Sequence, residues 1–399
     1  MRILSFSSVL LSSLLLSLGL ALLITSVGIR LEGASEILIG LVNASYFLGA
    51  IGGSLLSVDV ISKVGHIRSF AFFASMLALF VLLHIVFKNI YFVMLFRVII
   101  GFANYSLMMV LESWLNEQSP NDYRSRILAV YTLVFYLAYY ASSFVLSASI
   151  DGALFYVIAA SFVIASSMPI ALTKIAQPPL PKPRRMRIPK VFNIVPLALM
   201  GSFIAGVLVA GFYAMSSVFV LSKGIGADGF ASFMGFSMLG ALLVQIPMGK
   251  ASDSFGRKPA IMLASFIIFC ASLGMLAFAH NEYMLYGMGF LLSCGVFTIY
   301  SLALARANDR LPDEFDVVEV GRSLLLVYGL GSFLAPIVIG IVMYFFGANA
   351  FLYVFLLFSC ILFLFAITQD GVPKEERSVY IPIVGENTNA ITELDPRSD

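Results

Sequence analysis

Two groups of residues in this chain have the types and spacing to do chemistry. The first is the string Gly249-Lys-Ala-Ser-Asp253-Ser-Phe-Gly256-Arg257-Lys258, in which a carboxylate precedes two cations and two glycines bracket it. A carboxylate at a helix end can accept from the unpaired N–H groups of a neighbouring helix start, where the macrodipole leaves roughly half a positive charge. Arg257 and Lys258 would complete a charge network there, and Gly249 and Gly256 permit the close approach and tight turn it needs. The second group is Arg97, Gly101, Asn104, Met108 and Glu112, which recur at steps of 4, 3, 4 and 4 and so share one helical face. Arginine in an apolar run costs at least about 2.5–3.5 kcal/mol to insert, so it turns toward protein or a water-filled cavity. Arg97 and Glu112 lie about 22 Å apart along the helix and cannot pair directly. Arg97 either lines a cavity or pins neighbouring backbone. Glu112 is either a candidate proton site, titrating through partial desolvation, or a structural partner of Arg124 and Arg126.

The elements that must position these residues are membrane helices. Of 399 residues 60% are apolar and 12% charged, against roughly 45–50% and ~25% in soluble domains. Soluble enzymes, disulfide scaffolds and disordered regulators are excluded together, and a net charge of +2 gives no reason to expect nucleic acid. Crossing a bilayer core takes about 20 apolar residues. Twelve such spans occur: Ser5–Ile29, Ile37–Val58, Ser69–Phe87, Ile90–Leu111, Ile127–Ser149, Gly152–Leu172, Val191–Val220, Gly229–Met248, Pro259–Ala279, Met284–Ala305, Ser323–Phe345 and Ala350–Thr368. The first is too long for the apolar core of a signal peptide and reads as a span. The expected fold class is an all-α polytopic membrane protein. Cys270, Cys294 and Cys360 stand singly in apolar runs, and no H-E-x-x-H, G-x-S-x-G or P-loop occurs, so no metal, cofactor or catalytic constellation is expected.

An even number of spans puts both termini on one side, and that side collects 20 of the 24 lysines and arginines. The bias predicts cytoplasmic termini in a bacterial inner membrane. Residues 1–173 form a first six-helix bundle and 191–368 a second. The stretch 174–190 between them carries six cations and five prolines, which reads as a basic cytoplasmic linker near anionic lipid. The polar segment 369–399, with seven carboxylates and three cations, reads as a flexible cytoplasmic tail.

The halves repeat one another in the same orientation. Ser62-Lys63-Val64-Gly65-His66-Ile67-Arg68 occupies, between spans 2 and 3, the place that the Asp253 string holds between spans 8 and 9, and Leu128-Ala-Val-Tyr131 matches Leu325-Leu-Val-Tyr328. On these residues the chain resembles the major facilitator superfamily. The G-x-x-x-D-x-x-G-R-K string is similar to that family's signature loop, and Arg97-Val-Ile-Ile-Gly101 to its R-x-x-x-G element. Glu112-Ser113-Trp114 followed by Arg124-Ser-Arg126-Ile-Leu-Ala-Val-Tyr131 resembles the bacterial YcaD-like branch. The first-half loop is degraded, with Ser62 where the family has Asp and Asp59 a turn away, and the antiporter glycine-proline motif of span 5 is absent.

The resemblance implies two pseudo-symmetric bundles that rock about a midplane cavity between spans 1, 4, 7 and 10. It directs attention to Ser17, Thr25, Tyr213, Ser217, Ser293 and Tyr300, beside Arg97, Gly101, Asn104 and Met108. Tyr136 and Tyr139 of span 5 read as a stacking wall or as lipid-facing core. Gly249, Asp253, Gly256, Arg257 and Lys258, with Lys63, Gly65 and Arg68, form a candidate conformational latch, Asp253 reaching the start of span 5 near Arg124 to Ile127. The alternative is a static topology signal. The expected function is secondary or facilitative transport of a small organic solute by a monomer, with the proton as a candidate coupling ion and Arg97 favouring an anionic substrate. The alternative is a transporter-like receptor or scaffold that moves nothing.

Overall fold

A computed structural model describes residues 3–31, 33–118, 121–147, 152–172, 194–311, 317–374, 377, 380 and 382. The linker 174–190 and the chain beyond 382 lie outside the described residues. Twelve helices are long and apolar enough to cross a membrane: Phe6–Thr25, Glu36–Val64, His66–Val86, Ile90–Leu115, Arg126–Leu146, Gly152–Ala171, Pro196–Leu221, Ala227–Phe255, Arg257–Phe278, Glu282–Arg310, Val320–Phe346 and Ala350–Ile367. These are spans 1 to 12. No strand occurs among the described residues.

The helices outrun the apolar runs where polar residues stay helical past the membrane core. Span 2 continues through Asp59 and Ser62 to Val64, and span 8 through Asp253 to Phe255. The expected loops at these places therefore shrink to one residue each, Gly65 and Gly256, whose φ values of 84° and 107° turn the chain straight into the next helix. Only glycine adopts that backbone without strain. The helix of span 7 starts at Pro196, because proline fits the first turn, where no N–H bond is needed. Ser35 and Asn281 cap spans 2 and 10, accepting from Leu38 N at 3.4 Å and Met284 N at 3.1 Å.

Burial sorts the spans into layers. In spans 1, 4, 7 and 10 the shares of buried residues are 67%, 67%, 89% and 83%, against 33–44% in spans 3, 6, 9 and 12. The first four are central and the last four peripheral, where Phe72, Leu79, Leu154, Phe266 and Leu364 stand exposed as a lipid-facing surface requires. Spans 2 and 11, and spans 5 and 8, join the two halves. At the face away from the chain ends, spans 2 and 11 meet backbone to backbone: a Cβ on Gly40 would overlap the Pro336 carbonyl, and one on Gly340 the Glu36 carbonyl. Toward the termini face the same pair meets through a side chain, Ile51 lying 3.4 Å from where a Gly329 Cβ would sit.

Candidate substrate site and the termini-face joint

A serine inside a span usually returns its hydroxyl to the carbonyl four residues back. Ser45, Ser106 and Ser265 do so at 2.9, 2.8 and 2.8 Å. Among the described residues, the buried hydroxyls on the central spans that find no partner include Ser12 and Ser17 on span 1, Ser202 and Ser217 on span 7, and Ser293 and Tyr300 on span 10. An unpaired buried hydroxyl costs about 1–3 kcal/mol. The interior therefore has hydrogen-bonding capacity that helix packing leaves unused.

About a turn of helix from Ser217, Ser293 and Tyr300 runs an aromatic seam between the halves. Tyr139 of span 5 lies 5.3 Å from Tyr213 of span 7, Tyr136 lies 5.7 Å from Phe297 of span 10, and Tyr213 and Phe297 are 5.4 Å apart. All four rings are buried, so span 5 turns this wall inward and not toward lipid. Phe297 sits where span 10 breaks into helices Glu282–Val296 and Ile299–Arg310. Thr298 Oγ1 donates to the Cys294 and Gly295 carbonyls at 3.1 and 2.9 Å, and Gln245 Nε2 of span 8 donates to the Phe297 carbonyl at 3.4 Å. Gln245 Oε1 is buried without a partner. Sequence reasoning missed Phe297 and Gln245, although a lone amide inside an apolar run was a readable signal.

The polar face of span 4 does not form one cavity wall. Gly101 is pressed so closely on the Tyr46 carbonyl of span 2 that a Cβ would overlap it, so this residue is a helix contact and not a cavity lining. Asn104 Nδ2 donates to the Tyr46 hydroxyl at 2.6 Å, and the Tyr131 hydroxyl donates to Met108 Sδ at 3.3 Å. Arg97 is buried near the opposite end. Its Nη2 donates to Asn43 Oδ1 at 3.1 Å, its Nη1 to the Leu23 carbonyl at 3.5 Å, and its guanidinium lies 5.2 Å from the Tyr46 ring centroid. Asn43 in turn donates to the Ala214 carbonyl of span 7 at 3.2 Å, tying the halves together. Arg97 lines a vestibule of about 400 Å³ within the first half, with Arg30, His84, Lys88 and Tyr156, opening away from the termini face. The expectation that Arg97 and the seam share one cavity is corrected by this placement. Thr25 spends its hydroxyl on the Ala21 carbonyl at 2.6 Å.

Glu112 is 1% exposed, deep between the halves, within electrostatic reach of the Tyr131 and Tyr300 hydroxyls on spans 5 and 10. The side chain of Arg124 lies outside the described residues.

At the termini face Arg257 is fully buried. Its Nε donates to Asp309 Oδ2 at 3.1 Å, and its Nη1 to Ser252 Oγ at 2.8 Å and Asp253 Oδ1 at 2.5 Å. This joint ties spans 8, 9 and 10 within the second half. Asp253 was expected to clamp the start of span 5, but its carboxylate is taken by Arg257 and by the backbone N–H of Tyr380 at 3.2 Å. Lys258 Nζ donates to the Ile367 and Gln369 carbonyls at 3.0 and 2.6 Å. Gly249 carries the ring of Tyr380, and Gly256 the Arg377 guanidinium. In the first half Lys63 and Arg68 are exposed and hold no bond among the described residues. The expected flexible tail is corrected over its first part, where these contacts dock it.

The sequence pattern of the Major Facilitator Superfamily matches residues 6–314 and 199–382. The chain belongs to that superfamily. Within it, the chain is 26% identical over 329 residues to uncharacterized MFS-type transporters YcaD of Salmonella newport and Salmonella typhimurium, covering 81% of this chain and 85% of each of those. Solved structures share the superfamily fold. The nucleoside transporter NupG superposes with a TM-score of 0.73 at 14% identity, over 92% of this chain and all of that one. A bacterial homolog of the human lysosomal transporter Spinster, inward-facing and unoccupied, superposes at 0.66 and 12% identity, covering 100% of this chain and 98% of that one. Like its superfamily relatives, the chain is an integral multi-pass membrane protein of transporter type.

Proposed function

We propose that this protein is a secondary transporter that carries a small organic solute by alternating access. The two halves that rock are residues 1–173 and 191–368, joined by the basic linker 174–190. The solute binds where the aromatic seam of Tyr136, Tyr139, Tyr213 and Phe297 meets the hydroxyls of Ser217, Ser293 and Tyr300. The observation that carries this reading is the coincidence of unpaired buried hydroxyls with edge-on and tilted ring contacts at the meeting of the halves. Rings accept a flat or apolar face, and hydroxyls orient it. The fitting substrate has a ring or apolar body and several hydroxyl or amide groups. Arg97, bonded to Asn43 and Leu23 and lining the vestibule, gives this seam no anion preference.

The Lys/Arg bias assigns the termini face to the cytoplasm of a bacterial inner membrane. Glu112 is the carboxylate best placed to couple a proton to the cycle, because both halves border it. One chain supplies the whole seam, so a monomer suffices.

The test is a thermal-stability screen in detergent against nucleosides, sugars, amino acids, carboxylates and hydrophobic cations, repeated on Tyr213→Ala and Arg97→Ala. A ligand at 100 times its Kd stabilises by about 2.7 kcal/mol when it binds only the folded state. The expected hit is lost in Tyr213→Ala, survives in Arg97→Ala, and is transported into liposomes. A hit lost only in Arg97→Ala would move the site to the vestibule. Binding without flux would leave a receptor.

A further inference from the structure

The described residues that follow span 12 stay on the protein. Four cations reach their backbone or are supplied by them. Lys258 holds the Ile367 and Gln369 carbonyls, Arg306 Nη2 donates to the Asp370 carbonyl, and Arg310 Nη2 to the Gly371 carbonyl at 2.9 Å. Arg377 then reaches back to the end of span 8, its Nη1 donating to the Asp253 and Ser254 carbonyls at 3.3 and 3.2 Å. These are carbonyls that a helix terminus leaves without partners.

Three residues further, Tyr380 is 8% exposed although it lies outside every span. Its ring lies on Gly249 so closely that a Cβ there would sit 2.5 Å from it, and burial pushes its phenol up. Ser301 of span 10 borders the phenol. Pro382 then crosses to the first half, where its carbonyl accepts from Thr132 Oγ1 of span 5 at 3.0 Å. Between Asp253 and Thr132 the tail thus bridges spans 8 and 5, which belong to opposite halves.

We infer that the tail, through Arg377, Tyr380 and Pro382, is an intramolecular ligand of the seam between spans 5 and 8, a strap that seals the termini face and has to leave before the halves can part there. The inference rests on the alternating-access reading for its consequence, but not for the binding itself. The groove that takes the strap has defined chemistry. It offers a glycine floor for one aromatic ring, a carboxylate for one backbone N–H, and a hydroxyl for one carbonyl. An extended peptide with a tyrosine two residues before a proline fits it.

The experiment places a single cysteine at Ser301 in a protein with Cys270, Cys294 and Cys360 replaced by serine. The labelling rate by a membrane-impermeant maleimide is measured in inside-out vesicles. Three forms are compared: the full chain, a chain ending at Gly371, and the full chain with Tyr380→Ala. A melting profile checks that each form folds, and Tyr380→Ala covers the case in which the truncation does not. The strap predicts labelling at least tenfold faster in both shortened and Tyr380→Ala forms. A synthetic peptide of sequence 372–384 should slow labelling of the truncated form again, and the same peptide with alanine for its tyrosine should not. Equal rates in folded full-length and altered chains overturn the strap. Flux of a hit from the stability screen is a separate readout. Labelling that changes while no compound is ever transported overturns the transport reading and leaves the strap standing.

Discussion

The two halves solve one joint with two chemistries. In each, sixteen residues separate a packing glycine from a turning one: Gly49 from Gly65, and Gly240 from Gly256. In each, the residue after the turn is buried and reaches the central span of its own half. In the first half that residue is His66, whose Nε2 lies 3.0 Å from Ser113 Oγ and whose ring lies 5.9 Å from Trp114. In the second it is Arg257, paired to Asp309 and Asp253. Ser62 stands where Asp253 stands. The backbone geometry is therefore a property of the glycines, and the charge is an addition the fold does not require. The charged joint presents a half-exposed carboxylate, Asp253, and that carboxylate accepts from the backbone N–H of Tyr380 in the tail.

The largest expected effect follows from this difference. Asp309→Ala removes the wholly buried partner of a wholly buried guanidinium, which costs about 3–5 kcal/mol. His66→Ala removes one neutral hydrogen bond worth about 1 kcal/mol, plus the ring's packing. Thermal unfolding in detergent should show the second-half change to be far more damaging. Equal losses would mean that the two joints carry equal weight and that the charges are incidental.

The glycines should behave the other way, alike in both halves. A Cβ on Gly49 would overlap the Val98 carbonyl, and one on Gly240 the Phe290 carbonyl, each a backbone atom that cannot step aside. Gly49→Ala and Gly240→Ala are each expected to cost about 1–3 kcal/mol by overpacking. A large difference between them would break the claim that the shared scaffold lies in the backbone.

Transplanting the charged joint sharpens the comparison further. Ser62→Asp with His66→Arg should destabilise the first half, because the new guanidinium gains the i,i+4 carboxylate but meets Ser113 where Arg257 has the buried Asp309. Adding Ser113→Asp should recover part of the loss, with a coupling of about 0.5–3 kcal/mol in a double-mutant cycle. No coupling would mean that the two joints are not superposable at side-chain level.

Much of this architecture was legible in the sequence. Long apolar runs can satisfy their backbone in lipid only as helices, so the twelve spans could be counted and the repeat seen through Gly65 and Gly256. Span ends were less legible, since hydropathy marks the membrane core while the helix continues through Asp59 or Asp253. Span 4 is one continuous helix through Arg97 to Glu112, and a stripe about 22 Å long meets several neighbours in succession. Arg97 reaches Asn43, and Met108 reaches Tyr131, in places the spacing cannot distinguish. The docked tail was illegible for a different reason. Segment 369–382 looks polar and mobile, and the groups that hold it, Arg306, Arg310, Asp253 and Thr132, are assembled only by the fold. Phe297 was hidden because a helix break of two residues leaves no trace in hydropathy.

The smallest expected effect tests what in Tyr380 fits the charged joint. Its ring on Gly249 and its backbone N–H on Asp253 supply the contacts, so Tyr380→Phe should leave docking within about 1 kcal/mol at neutral pH. The phenol matters at high pH. Burial raises its pKa in the docked tail, while a released tail ionises near the ordinary tyrosine value of about 10. Below that value both forms are neutral and docking is insensitive to this group. As pH rises past about 10, the released tail gains by ionising and the docked tail does not, so docking weakens by about tenfold per pH unit until the buried phenol itself ionises. A nitroxide on Pro382→Cys in the cysteine-free protein reports release as a gain in spectral mobility between pH 9 and 11. The gain should vanish in Tyr380→Phe. If mobility rises identically in both proteins, deprotonation elsewhere frees the tail, and the ring pocket at Gly249 is not what the charged joint contributes.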